Sequence, residues 1–155
     1  MSISEKEFIE KITDYKQYLY KMAFLYVKDE NSALEIIDET VFKAYLSYKK
    51  LRKSEHFKTW ITKILINCAI DYLRDKKKIC GSIDEADIKI EEKEYVDLYN
   101  GINLLTGIQK TIIILKYFYD FTIKEIAEIL SISDSSVKNN LHKALEFLRI
   151  QLKEE

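Results

Sequence analysis

An all-α fold, built as two small helical domains joined by a linker, is predicted by three observations. Proline is absent and glycine occurs only three times in 155 residues, so the turn residues that an all-β chain needs every ten residues or so are missing. Apolar residues recur along most of the chain with the period of an amphipathic helix. Between residues 77 and 93 that period gives way to an acidic stretch without an apolar face. Hydrophobic residues make up 47% of the chain, against 25 basic and 26 acidic residues, which suits packed cores under a charged surface. An aromatic content of 12% excludes a chain disordered throughout.

The elements follow in order. Ser4 and Glu7 have capping-box spacing and open a helix expected to run to about Lys28. Ala33, Ile36, Ile37, Thr40, Val41, Ala44, Tyr45 and Tyr48 mark one face of a second helix. Phe57, Trp60, Ile61, Ile64, Leu65, Cys68, Ala69 and Tyr72 mark a third. Short connections at Asp29 to Ser32 and Lys49 to Ser54 make these a bundle over residues 1–76.

After Tyr72 the pattern breaks. Lys76 to Lys78 is a basic run, Gly81-Ser82 reads as a turn, and Asp84 to Asp97 holds seven acids against two lysines. Residues 77–93 therefore read as an acidic linker. A solvated helix opened by Ser82 and Glu85 is the alternative.

The second domain, 94–155, starts with an amphipathic helix carrying Tyr95, Leu98, Tyr99, Ile102 and Leu105. Thr106 with Gln109 and Thr122 with Glu125 are capping pairs for the helices at Ile112 to Phe118 and Ile126 to Leu130. Ser133 opens a last helix with Val137, Leu141, Ala144, Leu145 and Leu148 on its inner face.

Several function classes find no support. No apolar run approaches the roughly 18 residues of a membrane span, and Met1 to Lys11 lacks a signal-peptide core, so a cytoplasmic protein is expected. His56 and His142 fall in different domains, Cys68 lies on an apolar stripe, and Cys80 has no partner at metal-site spacing. With no glycine-rich phosphate loop either, the expectation is a non-enzymatic protein with no catalytic residue, metal, cofactor or small-molecule substrate.

The net charge of −1 carries no argument for nucleic acid, so such a reading rests on where charges lie. Thr122 to Ala144 has the spacing of a helix-turn-helix about the turn Ser131-Ile132-Ser133, with Ala127 small at the crossing. Its outer surface would carry Ser135, Ser136, Lys138, Asn139, Asn140, His142 and Lys143. Asparagine pairs bidentately with adenine in the major groove, and lysine reaches guanine or phosphate. A second surface runs from Lys49 to Lys78, where Lys53, Lys58 and Lys63 are interleaved with His56, Phe57 and Trp60. Cationic grooves with aromatic or apolar pockets hold single strands. Phe57 and Trp60 also lie on the apolar stripe, which makes them core candidates.

Three stretches together resemble a known family: Ser32-Ala-Leu-Glu-Ile-Ile-Asp-Glu-Thr-Val-Phe-Lys-Ala44, then Phe57-Lys-Thr-Trp-Ile-Thr-Lys-Ile-Leu-Ile-Asn-Cys-Ala-Ile-Asp-Tyr-Leu-Arg74, then Leu104 to Leu148. In that order, with a linker between, the chain resembles the extracytoplasmic-function sigma factors of the sigma-70 family over nearly its whole length. The resemblance implies a factor that binds core RNA polymerase through Glu35, Asp38 and Glu39. It implies melting and reading of the −10 promoter element by Lys53, Ser54, Glu55, His56, Lys58, Lys63 and Asn67. The Ser133 to Ala144 helix would read the −35 element as duplex, and an anti-sigma factor would be a regulatory partner.

Some positions depart from the family pattern. Leu34 stands where an acid is common, Asp38 where glutamine is usual, Thr106 in place of a proline, Ser131 and Ser135 in place of glycines, and Asn140 where arginine is frequent. Two rival readings are a helix-turn-helix regulator that binds duplex DNA without polymerase and a helical adaptor without DNA function. Binding to core polymerase separates the first reading from both.

Overall fold

Ser4 accepts a 3.1 Å hydrogen bond on Oγ from the Glu7 N–H and so opens the first helix as its sequence requires. In the computed structural model, which describes residues 3–80, 101–102, 104–105 and 107–153, every regular element is helical. The chain divides into two compact units, Met1–Lys76 and Lys77–Glu155.

In the first unit, the helix expected from Ser4 to Lys28 is two helices, α1 (Glu5–Asp14) and α2 (Lys16–Val27), broken at Tyr15. Tyr15 has φ −92° and ψ 3°, a turn conformation that re-aims the chain while still bonding back to Lys11. On either side of the break, Phe8 of α1 and Leu19, Met22, Ala23 and Tyr26 of α2 are buried. α2 ends at Lys28 in the left-handed conformation, φ 53°.

Asp29 caps α3 (Glu30–Ser47), accepting at Oδ2 from the Ser32 N–H at 2.8 Å. The helix therefore begins inside the segment expected as a connection. Ala33, Ile36, Thr40 and Ala44 are buried as their spacing predicts, but Tyr45 is 49% exposed and belongs to the outer face. Two short 3-10 turns, Tyr48–Lys50 and Ser54–His56, lead into α4. α4 runs from Phe57 to Cys80, so residues 77–80 of the expected linker continue the helix. A long polar helix end needs no apolar face, which is why periodicity alone ends it at Tyr72. The Gly81-Ser82 turn, the rest of the linker and its acids lie outside the described residues.

In the second unit, Gly101 lies against Leu148, whose Cδ2 would be 2.9 Å from a Cβ at that position. Ile102 and Leu105 join Ile113, Ala144 and Leu148 in one core, with Leu141 and Phe147 packed on it. Tyr95 to Tyr99 and the Thr106 cap lie outside the described residues. α5 (Gly107–Ile113) passes into a π-helical turn, Ile114–Phe118, then reverses at Asp120, φ 57°. α6 (Ile123–Leu130) and α7 (Asp134–Lys153) follow.

Candidate nucleic-acid interface

The α6–α7 pair is built from its caps inward. Thr122 accepts from the Glu125 N–H at 3.1 Å, and the Glu125 carboxylate accepts from the Thr122 N–H at 2.9 Å, a complete capping box. Ser131 ends α6 at φ 58°, and Ile132 bonds back to the Ala127 carbonyl at 3.0 Å. Ser133 then caps α7, its Oγ accepting from the Ser136 N–H at 3.1 Å. Two fully formed ends and a three-residue turn hold the helices at a fixed angle. Ile126, Ala127, Ile129, Val137 and Ala144 fill the space between and below them.

That packing decides which face of α7 is outward. Ser135, Lys138, Asn139, His142 and Lys143 are exposed, whereas Ser136 and Asn140 are half-buried. Asn140 donates from Nδ2 to the Ser136 carbonyl at 2.9 Å, so its amide is engaged along its own helix. Asn139, one position away, is exposed. Leu145, expected inward, is 41% exposed and flanks the buried stripe.

In the first unit the expected −10 residues are all exposed, but they do not share one face. Lys53 is extended and precedes the Ser54–His56 turn. His56 Nε2 lies 3.9 Å from Glu55 Oε1. Phe57, directly after the loop, is 1% exposed and is core. Trp60 is half-buried, its ring centroid 5.6 Å from that of Phe57. Lys63 and Asn67 continue along α4 on the flank that carries Trp60, at helical i, i+3, i+7 spacing. Lys58, five residues before Lys63, points about 140° away from it around the helix. It sits over the Tyr18 ring, 5.7 Å from the centroid.

The third surface is the outer face of α3. Glu35, Asp38 and Glu39 are all exposed there. Phe42 at 58% and Leu46 at 67% exposure stand on the same face, two apolar residues that the helical period does not account for. Their signal is legible all the same, because both fall off the apolar stripe and so have no inward partner to pack on. Glu35 and Glu39 also border a groove of about 430 Å³ whose far wall is Asp71, Tyr72, Arg74 and Asp75 of α4. Within it Lys43 pairs with Glu39 at 3.6 Å and Arg74 with Asp71 at 2.6 Å, which leaves the groove acidic. Tyr72 donates to Ser32 Oγ at 2.9 Å and fastens the two walls.

Cys68 lies at the floor of that groove and is buried. Burial pushes its thiol above the usual cysteine range, although a hydrogen bond with Thr40 opposes the shift. A thiol held protonated is a core side chain, not a nucleophile. Among the described residues no group of three His, Cys, Asp or Glu has metal-site geometry, and no helix is long and apolar enough to cross a membrane.

Comparison with known proteins meets the same two regions. Residues 12–79 match the Sigma-70 region 2 family model, and residues 95–148 match that of Sigma-70, region 4. The chain is 43% identical over 149 residues to the RNA polymerase sigma factor SigV of Bacillus subtilis (strain 168), covering 93% of this chain and 90% of that protein. It is 27% identical over 151 residues to the ECF RNA polymerase sigma factor SigX of the same organism, covering 87% and 78%. Among solved structures, the fold resembles the sigma factor RpoE in its co-crystal with the anti-sigma factor NepR from Bartonella quintana, with a TM-score of 0.76 at 21% identity over 96% of this chain and 98% of that one. It also resembles CnrH in complex with the cytosolic domain of CnrY, with a TM-score of 0.72 at 15% identity over 98% and 91%.

Proposed function

Because the chain belongs to the sigma-70 family of RNA polymerase sigma factors, in its extracytoplasmic-function group, we propose that its surfaces divide the work of promoter-specific initiation among three sets of residues. The observation that carries the reading is the presence of both matched regions on one chain, in order, each on its own helical unit. A duplex-only regulator needs the second region and has no use for the first.

Glu35, Asp38 and Glu39 dock the factor on core polymerase, with Phe42 and Leu46 supplying the apolar part of the contact. A docking face of this kind combines a charged rim that selects the partner with buried apolar area that supplies affinity. Ser135, Lys138, Asn139, His142 and Lys143 face the major groove of the −35 element, joined at the helix edge by Ser136 and Asn140. Lysines there set register on the phosphates, and Asn139 reads a base edge.

Lys53, Ser54, Glu55 and His56 hold a base flipped out of the −10 element, while Lys63 and Asn67 guide the strand along α4. Lys58 belongs to the basic neighbourhood of the loop but serves a different flank. No ATP is needed if the captured contacts offset the few kcal/mol that unstacking costs. The factor itself performs no catalysis and works in the cytoplasm. An anti-sigma factor regulates it, a reading supported by the complexes in which its structural neighbours were solved. Residues 77–93 join the two domains, and their acids suit a path built for polyanionic RNA.

Run-off transcription with core polymerase on a panel of candidate promoters tests the reading. Promoter-selective transcripts that depend on the added factor are expected. Duplex binding without any effect on polymerase would select the rival regulator.

A further inference from the structure

Lys58 has no role on the flank of α4 that carries Lys63 and Asn67, and its own surroundings suggest another. Its ammonium lies 5.7 Å from the centroid of Tyr18, on α2. On the other side of the same aromatic group, Lys11 of α1 lies 5.6 Å from the centroid of Phe57. Tyr15, at the break between α1 and α2, joins the two. Its ring is 5.3 Å from Tyr18 at 88° and 5.3 Å from Phe57 at 50°. The Tyr18 hydroxyl is fixed to Thr62 Oγ1 at 2.7 Å, which ties this elbow to α4.

Two lysines from helices far apart in sequence therefore converge on one aromatic platform, immediately beside the Lys53–His56 loop. Tyr15 is half-buried, and its ring contacts those of Tyr18 and Phe57, over which the two lysines lie. Tyr18 is also half-buried, whereas Phe57 is core and backs both; cations beside partly exposed rings are the chemistry that holds single-stranded nucleic acid, through phosphates and base faces together. An ammonium carries three donors, so a ring face on one side is compatible with a phosphate on another. Continuity with the loop favours DNA over other anions, because a strand held at one flipped base must leave the pocket in some direction.

We propose that the α1–α2 elbow is a second contact for melted promoter DNA, in which Lys11 and Lys58 take backbone phosphates and Tyr15 stacks on an unpaired base adjoining the one held by the loop. The inference rests on the reading of that loop as the −10 pocket. It divides the basic set of α4: Lys63 and Asn67 follow the strand on one side of the pocket, Lys58 and Lys11 on the other.

The test uses full-length factor bound to core polymerase and labelled non-template strands. One strand carries the −10 element alone, and two others extend it on the 5′ or the 3′ side. Lys11→Gln alone should leave the short strand's affinity unchanged, and the extended strands are read with Lys11→Gln combined with Lys58→Gln. On one of the extended strands that pair should lower the slope of log affinity against log salt by about 1.4, or roughly 0.7 for each phosphate contact. Tyr15→Leu should weaken the same strand about tenfold. Thermal melting checks that the unit still folds, and if Tyr15→Leu unfolds it, the lysine pair decides alone. Unchanged slopes on both extended strands overturn the proposal. Replacing Lys53–His56 by Gly-Ser separates the two failures. If that swap leaves the short strand bound as before, the −10 assignment fails, whereas the lysine result still judges the elbow.

Discussion

The outer face of α7 and the Lys53–His56 loop, both proposed to meet DNA, are constructed in opposite ways. The face of α7 is a regular surface whose every residue is aimed by buried anchors, Val137 and Ala144 at 0% exposure, and by caps at Thr122, Glu125 and Ser133. The loop is an extended residue and one 3-10 turn between two buried residues, Leu51 and Phe57. A closed duplex presents a groove of fixed width, which a rigid helix can match without rearrangement. A flipped base instead needs a concave site with polar groups converging from several directions, which irregular backbone provides. On the proposed division of labour, that contrast gives a physical reason for two separate helical units.

The largest expected effect removes both readers at once. Asp38→Arg with Glu39→Arg should abolish binding to core polymerase while leaving the helical circular-dichroism signal unchanged, because both side chains are exposed. A pulldown that retains core polymerase would detach this face from the docking role. Glu39 also pairs with Lys43, but both are about half exposed, and such a pair contributes little to stability.

Next in size is a change confined to the loop. Replacing Lys53 to His56 with Gly-Ser should leave polymerase bound, since α3 is untouched. Transcription from linear duplex should fall sharply, and a template with a pre-melted −10 bubble should recover part of it. Parental rates on ordinary duplex would show that the loop is only a connection and that melting belongs elsewhere.

The sequence discloses the two units unequally. In α6 and α7 local chemistry and burial agree except at Leu145, so the capping pair at Thr122, the Ser133 start and most of the buried stripe can be read directly. The first unit keeps more to itself. The break at Tyr15 carries no proline or glycine and arises from packing among Phe8, Tyr15, Tyr18 and Phe57, which no local pattern encodes. The end of α4 is hidden because a polar helix end shows no period. Lys58 and Lys63 look like one set because nearness in sequence hides the rotation between them. Asn139 and Asn140 look equivalent as neighbours, and it is the half-burial of Asn140 and its bond to Ser136 that set them apart.

That last difference sharpens the account of the duplex reader. Asn139→Ala should change base preference at one −35 position, by about 1–3 kcal/mol for a good bidentate contact. Asn140→Ala should do less. Lys138→Ala or Lys143→Ala should weaken all sequences alike and reduce the salt slope by about 0.9 for each phosphate no longer neutralised. Measuring affinity across a −35 library at several salt concentrations separates these outcomes. A uniform weakening for all four variants would mean that another face of α7 enters the groove.

The smallest effect concerns the turn that aims the helix. Ser131 adopts φ 58° between α6 and α7, a conformation that costs an ordinary side chain about 1 kcal/mol and glycine almost nothing. Its backbone N–H bonds back to Ala127 and Glu128, so the geometry is held by the helix end and not by the serine hydroxyl alone. Ser131→Gly should therefore raise the stability of the second unit, but by less than the strain relieved, because glycine also gains freedom in the unfolded chain. A net gain of about 0.5 kcal/mol is expected in urea unfolding. Base preference at the −35 element should not move, since the caps on either side still fix the angle of α7. A drop in stability would assign the hydroxyl a bond that outweighs the backbone strain. A shift in base preference would show that the turn, and not the capped helices, sets the reading angle.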